Sequence, residues 1–307
     1  MNHNDRLESV LRRRLSVISA SVAVLALTVA GCSSSAATPP VAGPSQSNTT
    51  PSFAAGTTMA KLAAAGKMRV GTKFDQPGFG VKDLSGNMSG IDAEITRMIA
   101  AALGIAPNNI EFTEAVSANR VPFLQQGKVD LVAASFAIDP ERQKAVTFAG
   151  PYLTLGQALM VGKGNPLGIK SMADLAGKTV CTLTGGDSQT LIPKLAPKAK
   201  MVGFDAASKC VTALHSGQVD AFGSNAAIVG GLAAGDPKVE VLNFQYGNQL
   251  FGIGVTKGDV QFCQFIDDVL TKAATDGQWK TAYSSTLGKV LPPVLVTTTL
   301  PTFIPCS

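Results

Sequence analysis

Apolar positions recur at helical spacing in the middle of the chain. Ile91, Ile95, Met98 and Ala102 are separated by four, three and four positions, and a glycine follows as a helix C-cap. This pattern predicts an amphipathic helix over about 91–103.

Further helices and strands alternate along the chain. The run Val129–Ala134 is typical of a short buried strand, and Asp139 followed by Pro140 predicts the start of a helix. A second amphipathic helix is predicted over Gln261–Thr275, ended by the pair Asp276-Gly277. Strands that alternate with helices indicate an α/β fold.

One nine-residue pattern occurs twice, 90 positions apart. The segment from Leu124 reads LQQGKVDLV and the segment from Leu214 reads LHSGQVDAF. Upstream of each, a strand is predicted directly after a Gly-Lys pair, at Lys67 and at Lys178. Two similar α/β lobes are the simplest interpretation, and chance similarity of common strand–helix junctions is the alternative. Ligands bind beyond the carboxyl ends of strands in such sheets, so we expect a cleft between the lobes near Ser135 and Ser224.

Composition excludes several classes of protein. Of 307 residues, 45% are apolar and 15% charged, which is enough apolar material for a core and a length that suggests two domains. The net charge is +5, with no clustered basic run of the kind that binds nucleic acid. The chain has only two histidines, which disfavours histidine-based catalysis and histidine-rich metal sites.

The N-terminal 31 residues have the pattern of an export signal. Three arginines at 12–14 precede an apolar run that is short for a membrane-spanning helix, and Val29-Ala30-Gly31 leads into Cys32. This ending resembles a bacterial lipobox, so we expect removal of 1–31 and lipidation of Cys32. An uncleaved membrane anchor is the alternative. Residues 32–58 are rich in Ser, Thr, Pro and Ala, which predicts a flexible tether.

Four cysteines remain after Cys32, an even number that suits an oxidising compartment. Three connectivities are possible. We favour pairing of sequence neighbours, Cys181 with Cys210 and Cys263 with Cys306. A zinc site is the alternative, although no CxxC or Cys/His spacing of a zinc ligand set occurs.

The stretch from Met68 to about Leu287 resembles the extracellular solute-binding proteins of ABC amino-acid importers. The matching segments, in chain order, are Val70–Gly78, Ser89–Asp92, Asn119–Leu124, Gly127–Asp130, Asp139–Arg142, Phe148–Tyr152, Asp174–Lys178, Val219–Ala221, Tyr246-Gly247 and Asp276-Gly277. Each is weak alone, and their shared order over some 220 residues is specific. The opening segment and the pair Cys181 and Cys210 look most like glutamate-binding lipoproteins.

The resemblance implies a type II periplasmic-binding-protein fold. In that fold two Rossmann-like α/β lobes are joined by a two-strand hinge and close over one ligand. Lobe 1 would take residues 59–153 and 248–307, and lobe 2 would take residues 154–247.

The resemblance also assigns the groups that hold the ligand's carboxylates. Arg142 matches the family arginine that binds the α-carboxylate, and the backbone N–H groups of Gly185 and Gly186 would face the same group. Positions that hold a distal carboxylate in members specific for acidic amino acids are occupied by Lys73, Ser117 and Arg120. Gln76 stands where many members have an aromatic residue.

The expected ammonium site departs from the family pattern. Ser135 stands where the family supplies a backbone carbonyl, but Ala137 replaces a hydroxyl residue and Asn225 replaces a carboxylate. Asp187 is a candidate for the missing negative charge. Without it, the ligand would be a dicarboxylate or another anion that lacks a normal α-amino group.

The resemblance implies a monomeric, lipid-anchored binding protein on the outer face of the cytoplasmic membrane. It would capture glutamate or aspartate, without a cofactor or catalysis, and deliver it to an ABC permease. A ligand sensor that signals to a membrane receptor or kinase is the first alternative. An enzyme built on the same fold is the second.

Overall fold

The computed structural model describes residues 51–291 and 299–307. Its α-helices are α1 Thr58–Ala65, α2 Ile91–Ala102, α3 Arg120–Gln125, α4 Pro140–Ala145, α5 Ser188–Leu195, α6 Ala207–His215, α7 Ala226–Ala234, α8 Val260–Thr275 and α9 Gln278–Ser285. The strands are β1 Met68–Thr72, β2 Asp75–Gln76, β3 Gly80–Lys82, β4 Met88–Ser89, β5 Ile110–Glu114, β6 Leu131–Val132, β7 Val146–Gly162, β8 Thr179–Leu183, β9 Lys200–Phe204, β10 Ala221–Asn225 and β11 Val239–Thr256. The predicted signal segment and Cys32 lie outside the described residues.

The helices predicted from apolar spacing are confirmed. The helix predicted over 91–103 is α2, which buries Ile91, Ile95 and Ile99. Asp139 caps α4 by accepting hydrogen bonds from two backbone N–H groups, with proline at the first helical position, as predicted. The predicted strand Val129–Ala134 is shorter than expected, since β6 has two residues and Ser135 turns the chain with φ of 45°.

One eight-stranded sheet runs through the described chain in the order β5-β1-β6-β11-β7-β10-β8-β9. The first three strands are mutually parallel, and so are the last three. Between them lie the two long antiparallel strands β7 and β11. The molecule therefore has two parallel α/β halves that share a two-strand hinge, as the resemblance implied. We call the half with β1 lobe 1 and the half with β8 lobe 2.

The sequence repeat corresponds to the same contact in both lobes. In lobe 1 the Asp130 carboxylate accepts a hydrogen bond from the backbone N–H of Arg69 at 2.8 Å. In lobe 2 the Asp220 carboxylate accepts one from the N–H of Thr179 at 2.7 Å. Each aspartate ties the start of the following strand to the start of the first strand of its lobe. The repeated Val-Asp pair is therefore a structural device that sets strand register.

The described termini pack on lobe 1. Phe53 contacts the ring of Phe265 edge-on, with centroids 5.5 Å apart, and α1 begins at Thr58. The prediction of a flexible tether up to residue 58 is therefore wrong from about Phe53 onward, because an aromatic side chain there finds an apolar partner. At the other end, the N–H of Ile304 donates to the carbonyl of Gly150 at 2.9 Å.

Both predicted disulfides are present. Cys181 is bonded to Cys210 in lobe 2, and Cys263 to Cys306 beside lobe 1, with Cα atoms 5.7 and 5.9 Å apart. Across the residues that the structure describes, we find no helix with the length and hydropathy that a membrane span requires.

Candidate functional site

The two lobes meet over a small cavity beside the hinge. The cavity has a volume of about 20 Å³, enough for about one water molecule. Residues from both lobes and from the hinge form its walls: Ser117, Arg120, Ser135, Gln157, Leu183, Gly186, Asp187, Ser188, Gly223, Ser224, Asn225, Ile228 and Phe251. An amino acid does not fit in this volume, so the lobes have to separate before a solute of that size enters.

The sequence-predicted residues form one cluster at this cavity. Six of them line it, namely Ser117, Arg120, Ser135, Gly186, Asp187 and Asn225. The other five are Lys73, Gln76, Ala137, Arg142 and Gly185, and each bonds to a member of the same cluster. Residues far apart in the chain therefore converge because the strand ends of both lobes face each other.

Arg142 connects the lobes. Its guanidinium donates to the Asp187 carboxylate of lobe 2 at 2.7 Å and to the carbonyl of Gly185 at 3.0 Å. Within lobe 1 it pairs with Asp139 at 2.9 Å and donates to the carbonyl of Ala137 at 2.8 Å. In this closed structure the carboxylate of Asp187 takes the place beside Arg142 where we expected a ligand carboxylate.

Arg120 is a buried cation whose described hydrogen bonds all go to backbone carbonyls. It is 2% exposed and donates to the carbonyls of Ser117, Ala134, Ser135 and Gly185. Burial lowers the pKa of its guanidinium to about 9, with repulsion from Arg142 as the next cause. The group is still cationic at neutral pH, and none of the described carboxylates is hydrogen-bonded to it.

Lys73 is the second buried cation. Its side chain is 2% exposed, and its ammonium donates to the hydroxyl of Ser117 at 2.9 Å. Burial lowers the pKa of Lys73 to about 7, and repulsion from Arg120 adds to the effect. Ser117 thus links two cations that have no directly bonded anion in the described part of the chain. This wall of the cavity is suited to bind an anionic solute.

Asp92 holds Ser135, which lines the cavity, in position. Its carboxylate accepts hydrogen bonds from the backbone N–H of Ser135 at 2.8 Å and from the hydroxyl of Tyr152. Burial raises the pKa of Asp92 to about 6. Ser135 in turn donates its hydroxyl to Gln76 at 2.7 Å, so Gln76 supports the cavity from outside rather than lining it.

The loop of Gly185 and Gly186 behaves differently from the prediction. The N–H of Gly185 donates to the side chain of Gln189 at 2.7 Å, and the N–H of Gly186 donates to the carbonyl of Leu183 at 2.8 Å. In this closed structure both amides are bonded within lobe 2, and their contact with a ligand carboxylate stays a prediction. The carbonyl of Gly185 faces the cleft instead, where it accepts from both arginines.

The backbone of Gly185 in lobe 2 lies close to the backbone of lobe 1. Its φ is +76°, and a Cβ there would lie 2.9 Å from backbone atoms of Ala118 in lobe 1. Real Cβ atoms essentially never approach so closely, so closure requires a glycine at this position.

Asn225 offers the cavity a donor. Its side-chain oxygen accepts the N–H of Ala227 at 2.9 Å and caps α7, while its Nδ2 is buried and has no hydrogen-bond partner among the described residues. The helix cap uses this oxygen, so the unpartnered amide nitrogen is the group that Asn225 presents to the cavity.

A polar group on the hinge was missed at the sequence level. Gln157 of β7 accepts from the hydroxyl of Ser188 at 2.8 Å, and Ser188 also bonds the hydroxyl of Tyr246 of β11 at 2.9 Å. Gln157 bonds Gln249 of β11 as well. An uncharged glutamine inside an apolar strand carries no sequence pattern that marks it. The contact exists only because the hinge strands pass beside α5.

Comparison with known proteins identifies the family to which this architecture belongs. The family model of bacterial extracellular solute-binding proteins, family 3, matches residues 68–289. The chain therefore belongs to this family, which is one of binding proteins with the two-lobed fold described above.

Individual relatives agree on the class and differ in ligand. The chain is 32% identical over 237 residues to the glutamate-binding protein GluB of Corynebacterium efficiens, covering 73% of this chain and 80% of that protein. It is 35% identical over 249 residues to a glutamine-binding protein of Geobacillus stearothermophilus, covering 80% and 93%. Among solved structures, the solute receptor for L-cysteine of Neisseria gonorrhoeae superposes with a TM-score of 0.73 at 30% identity, covering 80% of this chain and 99% of that one.

Proposed function

We propose that this protein is the lipid-anchored receptor of an ABC importer and that it captures an acidic amino acid, glutamate or aspartate. One observation carries the choice of ligand: Lys73 and Arg120 are buried beside the cavity, and neither donates to a carboxylate within residues 51–291 and 299–307. Burying two such charges is costly, and the distal carboxylate of an acidic amino acid would offset that cost. The glutamate-binding relative supports the same choice.

Capture is proposed to work by closure of the two lobes on the hinge strands. The open form exposes Arg142 to solvent and lets it bind the α-carboxylate. Closure then brings Asp187 and the Gly185 carbonyl of lobe 2 against lobe 1, as seen in their contacts with the arginines. The ligand stabilises the closed state by the difference in its affinity for the two states.

The remaining parts of the proposal concern the location of the protein, its oligomeric state and the boundaries of its lobes. Lipidation of Cys32 would hold the protein on the outer face of the cytoplasmic membrane, where a permease would receive the solute from a monomeric chain. The lobe boundaries 59–153 plus 248–307 and 154–247 are kept as proposals, and both junctions fall within β7 and β11. We propose binding without catalysis, without a cofactor and without nucleic acid.

A second candidate ligand follows from the donor character of Asn225 and the absence of a hydroxyl at Ala137. A dicarboxylate without an amino group, such as 2-oxoglutarate, would accept a hydrogen bond from the unpartnered Asn225 amide. It would need no anion at the ammonium position.

The test is calorimetric titration of the purified protein with L-glutamate, L-aspartate, L-glutamine, L-asparagine and 2-oxoglutarate. Arg142→Ala should weaken binding by about 10²-fold or more, because it removes one partner of a charge-assisted pair. Lys144→Ala on the same helix is the matched control, since its side chain is exposed and pairs only locally with Glu141. Unchanged affinity in Arg142→Ala would refute the assigned site, and binding of 2-oxoglutarate alone would establish the second candidate.

A further inference from the structure

One contact between the lobes lies outside the cavity, at the start of α6. Asp75 is in β2 of lobe 1, and its carboxylate oxygen Oδ2 accepts hydrogen bonds from two backbone N–H groups of lobe 2. These belong to Ala207 at 2.7 Å and Ser208 at 3.2 Å, the first two residues of α6. Neither Asp75 nor these two residues line the cavity. Asp75 therefore bonds the lobes to each other without facing the position of a solute.

Asp75 supplies the N-cap that α6 lacks within its own lobe. Ala206 occupies the cap position with extended backbone angles, φ of −124° and ψ of 145°, and its side chain makes no cap hydrogen bond. The preceding residue, Asp205, pairs with Lys209 at 2.7 Å. The first N–H groups of an α-helix have no partner inside the helix, and a side-chain oxygen beside them stabilises the helix. For α6 that oxygen comes from the opposite lobe.

Each side of this contact is fixed to its own lobe. In lobe 1 the N–H of Ile91, at the start of α2, donates to the carbonyl of Gly78 at 2.9 Å and so holds the segment that follows β2. In lobe 2 the disulfide between Cys210 of α6 and Cys181 of β8 ties α6 to the sheet. When the lobes separate, α6 stays with lobe 2 and β2 stays with lobe 1, so the contact of Asp75 has to break.

The residues after Asp75 lie against a second helix of lobe 2. A Cβ added to Gly231 of α7 would lie 2.8 Å from the Cβ of Pro77 and 2.9 Å from its carbonyl oxygen. Residues 75–77 of lobe 1 therefore contact both α6 and α7. The contact of Asp75 is part of a surface on which the closed lobes meet, separate from the walls of the cavity.

We propose that Asp75 is a latch of the closed state: it caps α6 only when the lobes are closed, and it thereby raises the affinity for the ligand and slows ligand release without contacting the ligand. The inference rests on the proposed function in that a solute closes the lobes, and it holds for any solute that does so. Apparent affinity rises with the stability of the binding-competent state, so a contact made in that state alone contributes to it. Removal of an N-cap side chain corresponds to about 2- to 30-fold in an equilibrium constant.

The experiment measures dissociation constants by calorimetry and release rates by stopped flow, with L-glutamate and L-glutamine as probes. Asp75→Ala removes the acceptor, whereas Asp75→Asn removes the charge and keeps an oxygen that caps helices about as well. The second variant is needed because the charge of Asp75 also raises the pKa of Lys73. Glu111→Ala is the control, since Glu111 is an exposed carboxylate of lobe 1 that pairs with Lys67 of the same lobe.

We expect the affinity to fall by about 5- to 30-fold in Asp75→Ala, mostly through faster release, because the contact forms only after the ligand has entered. Asp75→Asn should stay within about threefold of the wild type, because the cap oxygen is kept. Glu111→Ala should bind like the wild type.

Ala206→Ser distinguishes a latch from a cap that only stabilises the fold. Serine at this position gives α6 an acceptor within lobe 2, which serves the open and the closed states equally. Combined with Asp75→Ala, it should restore any melting temperature that the ligand-free protein has lost, while the affinity stays low. Recovery of both the melting temperature and the affinity would show that Asp75 has only a structural role.

Two further results would overturn the latch and leave the proposed function intact. One is an unchanged affinity in Asp75→Ala. The other is an equal loss in Asp75→Ala and Asp75→Asn, which would assign the effect to the charge beside Lys73. Binding of L-glutamine alone would instead overturn the proposed acidic ligand, and the same comparison of variants with L-glutamine would still decide the role of Asp75.

If neither probe binds the wild type, the proposed ligand fails and the ligand-free protein decides the role of Asp75. Single-molecule energy transfer between dyes at exposed Leu84 of lobe 1 and exposed Leu195 of lobe 2 then measures the ratio of closed to open molecules. This ratio should fall by about 5- to 30-fold in Asp75→Ala and stay within about threefold of the wild type in Asp75→Asn. An unchanged ratio in Asp75→Ala would overturn the latch.

Discussion

The buried ammonium of Lys73 predicts that ligand binding takes up a proton. Burial lowers the pKa of Lys73 to about 7 in the ligand-free closed structure. At pH 8 a group with that pKa is protonated in only about one molecule in ten. A carboxylate that arrives within hydrogen-bonding distance favours the charged form and raises the pKa again.

The size of the effect follows from Coulomb's law. A carboxylate about 4 Å from the ammonium contributes about 4 kcal/mol at an effective dielectric constant of about 20. Since 1.36 kcal/mol corresponds to one pKa unit, the pKa of Lys73 would rise by about three units to near its ordinary value. Binding of glutamate at pH 8 should therefore take up about 0.9 proton, and the affinity should fall by up to tenfold for each pH unit above about 7.

The measurement is calorimetric titration at pH 8 in two buffers of different ionisation enthalpy, together with dissociation constants from pH 6 to pH 9. The charged groups that act on Lys73 are Arg120, Asp75, Asp92 and Glu114. Of these carboxylates, Asp92 has a raised pKa of about 6, which lies below the window in which the affinity should change.

Lys73→Met is the decisive variant because it keeps an apolar stem of similar length and has no ionisable group. It should bind glutamate more weakly at pH 7, with little pH dependence above that value and no proton uptake. Lys61→Met, at an exposed position of α1, should behave like the wild type. The reasoning is refuted if the wild type takes up no proton, or if Lys73→Met takes up as much as the wild type.

Two further predictions concern stability. Replacing Cys181 and Cys210 together by serine should lower the free energy of unfolding by about 3–4 kcal/mol, because their sequence separation of 29 residues closes a loop in the unfolded chain. Urea unfolding measures the difference, and an unchanged midpoint would contradict it. Gly90→Ala should destabilise by about 1–3 kcal/mol, since φ is +114° and the new Cβ would lie 2.1 Å from the carbonyl oxygen of Phe79. Thermal melting tests this against Gly86→Ala at a similarly positive φ of +88°, where the added Cβ would meet only the Lys82 side chain, at an ordinary contact distance of 3.9 Å; equal losses would assign the effect to φ alone.

Patterns among neighbouring residues were sufficient to predict much of the fold. Apolar spacing in α2 and the cap at Asp139 depend on a few neighbouring residues, so the sequence predicts them directly. The repeated Val-Asp pair predicted two similar lobes, and the structure shows the same carboxylate contact in each. The end of the tether was predicted wrongly because the partner of Phe53 is Phe265, more than 200 positions away.

The resemblance predicted which residues lie at the candidate site, but it predicted only part of the hydrogen bonds that they make. All the residues assigned by resemblance lie in or against one cavity. The direction in which they present donors and acceptors was not predictable. The Gly185 carbonyl, rather than its N–H, faces the arginines, and the oxygen of Asn225 is used by a helix cap.

Residue types and spacings along the chain predicted alternating strands and helices and two similar lobes, and favoured the pairing of the cysteines. The class of protein and the set of residues at the cleft came from the resemblance of the chain to a known family. Only the tertiary structure decided which charged side chains form ion pairs with each other. The pairing of Arg142 with Asp187 joins opposite lobes, and burial lowers the pKa values of Lys73 and Arg120. Both depend on distance and desolvation in three dimensions, which no local pattern encodes.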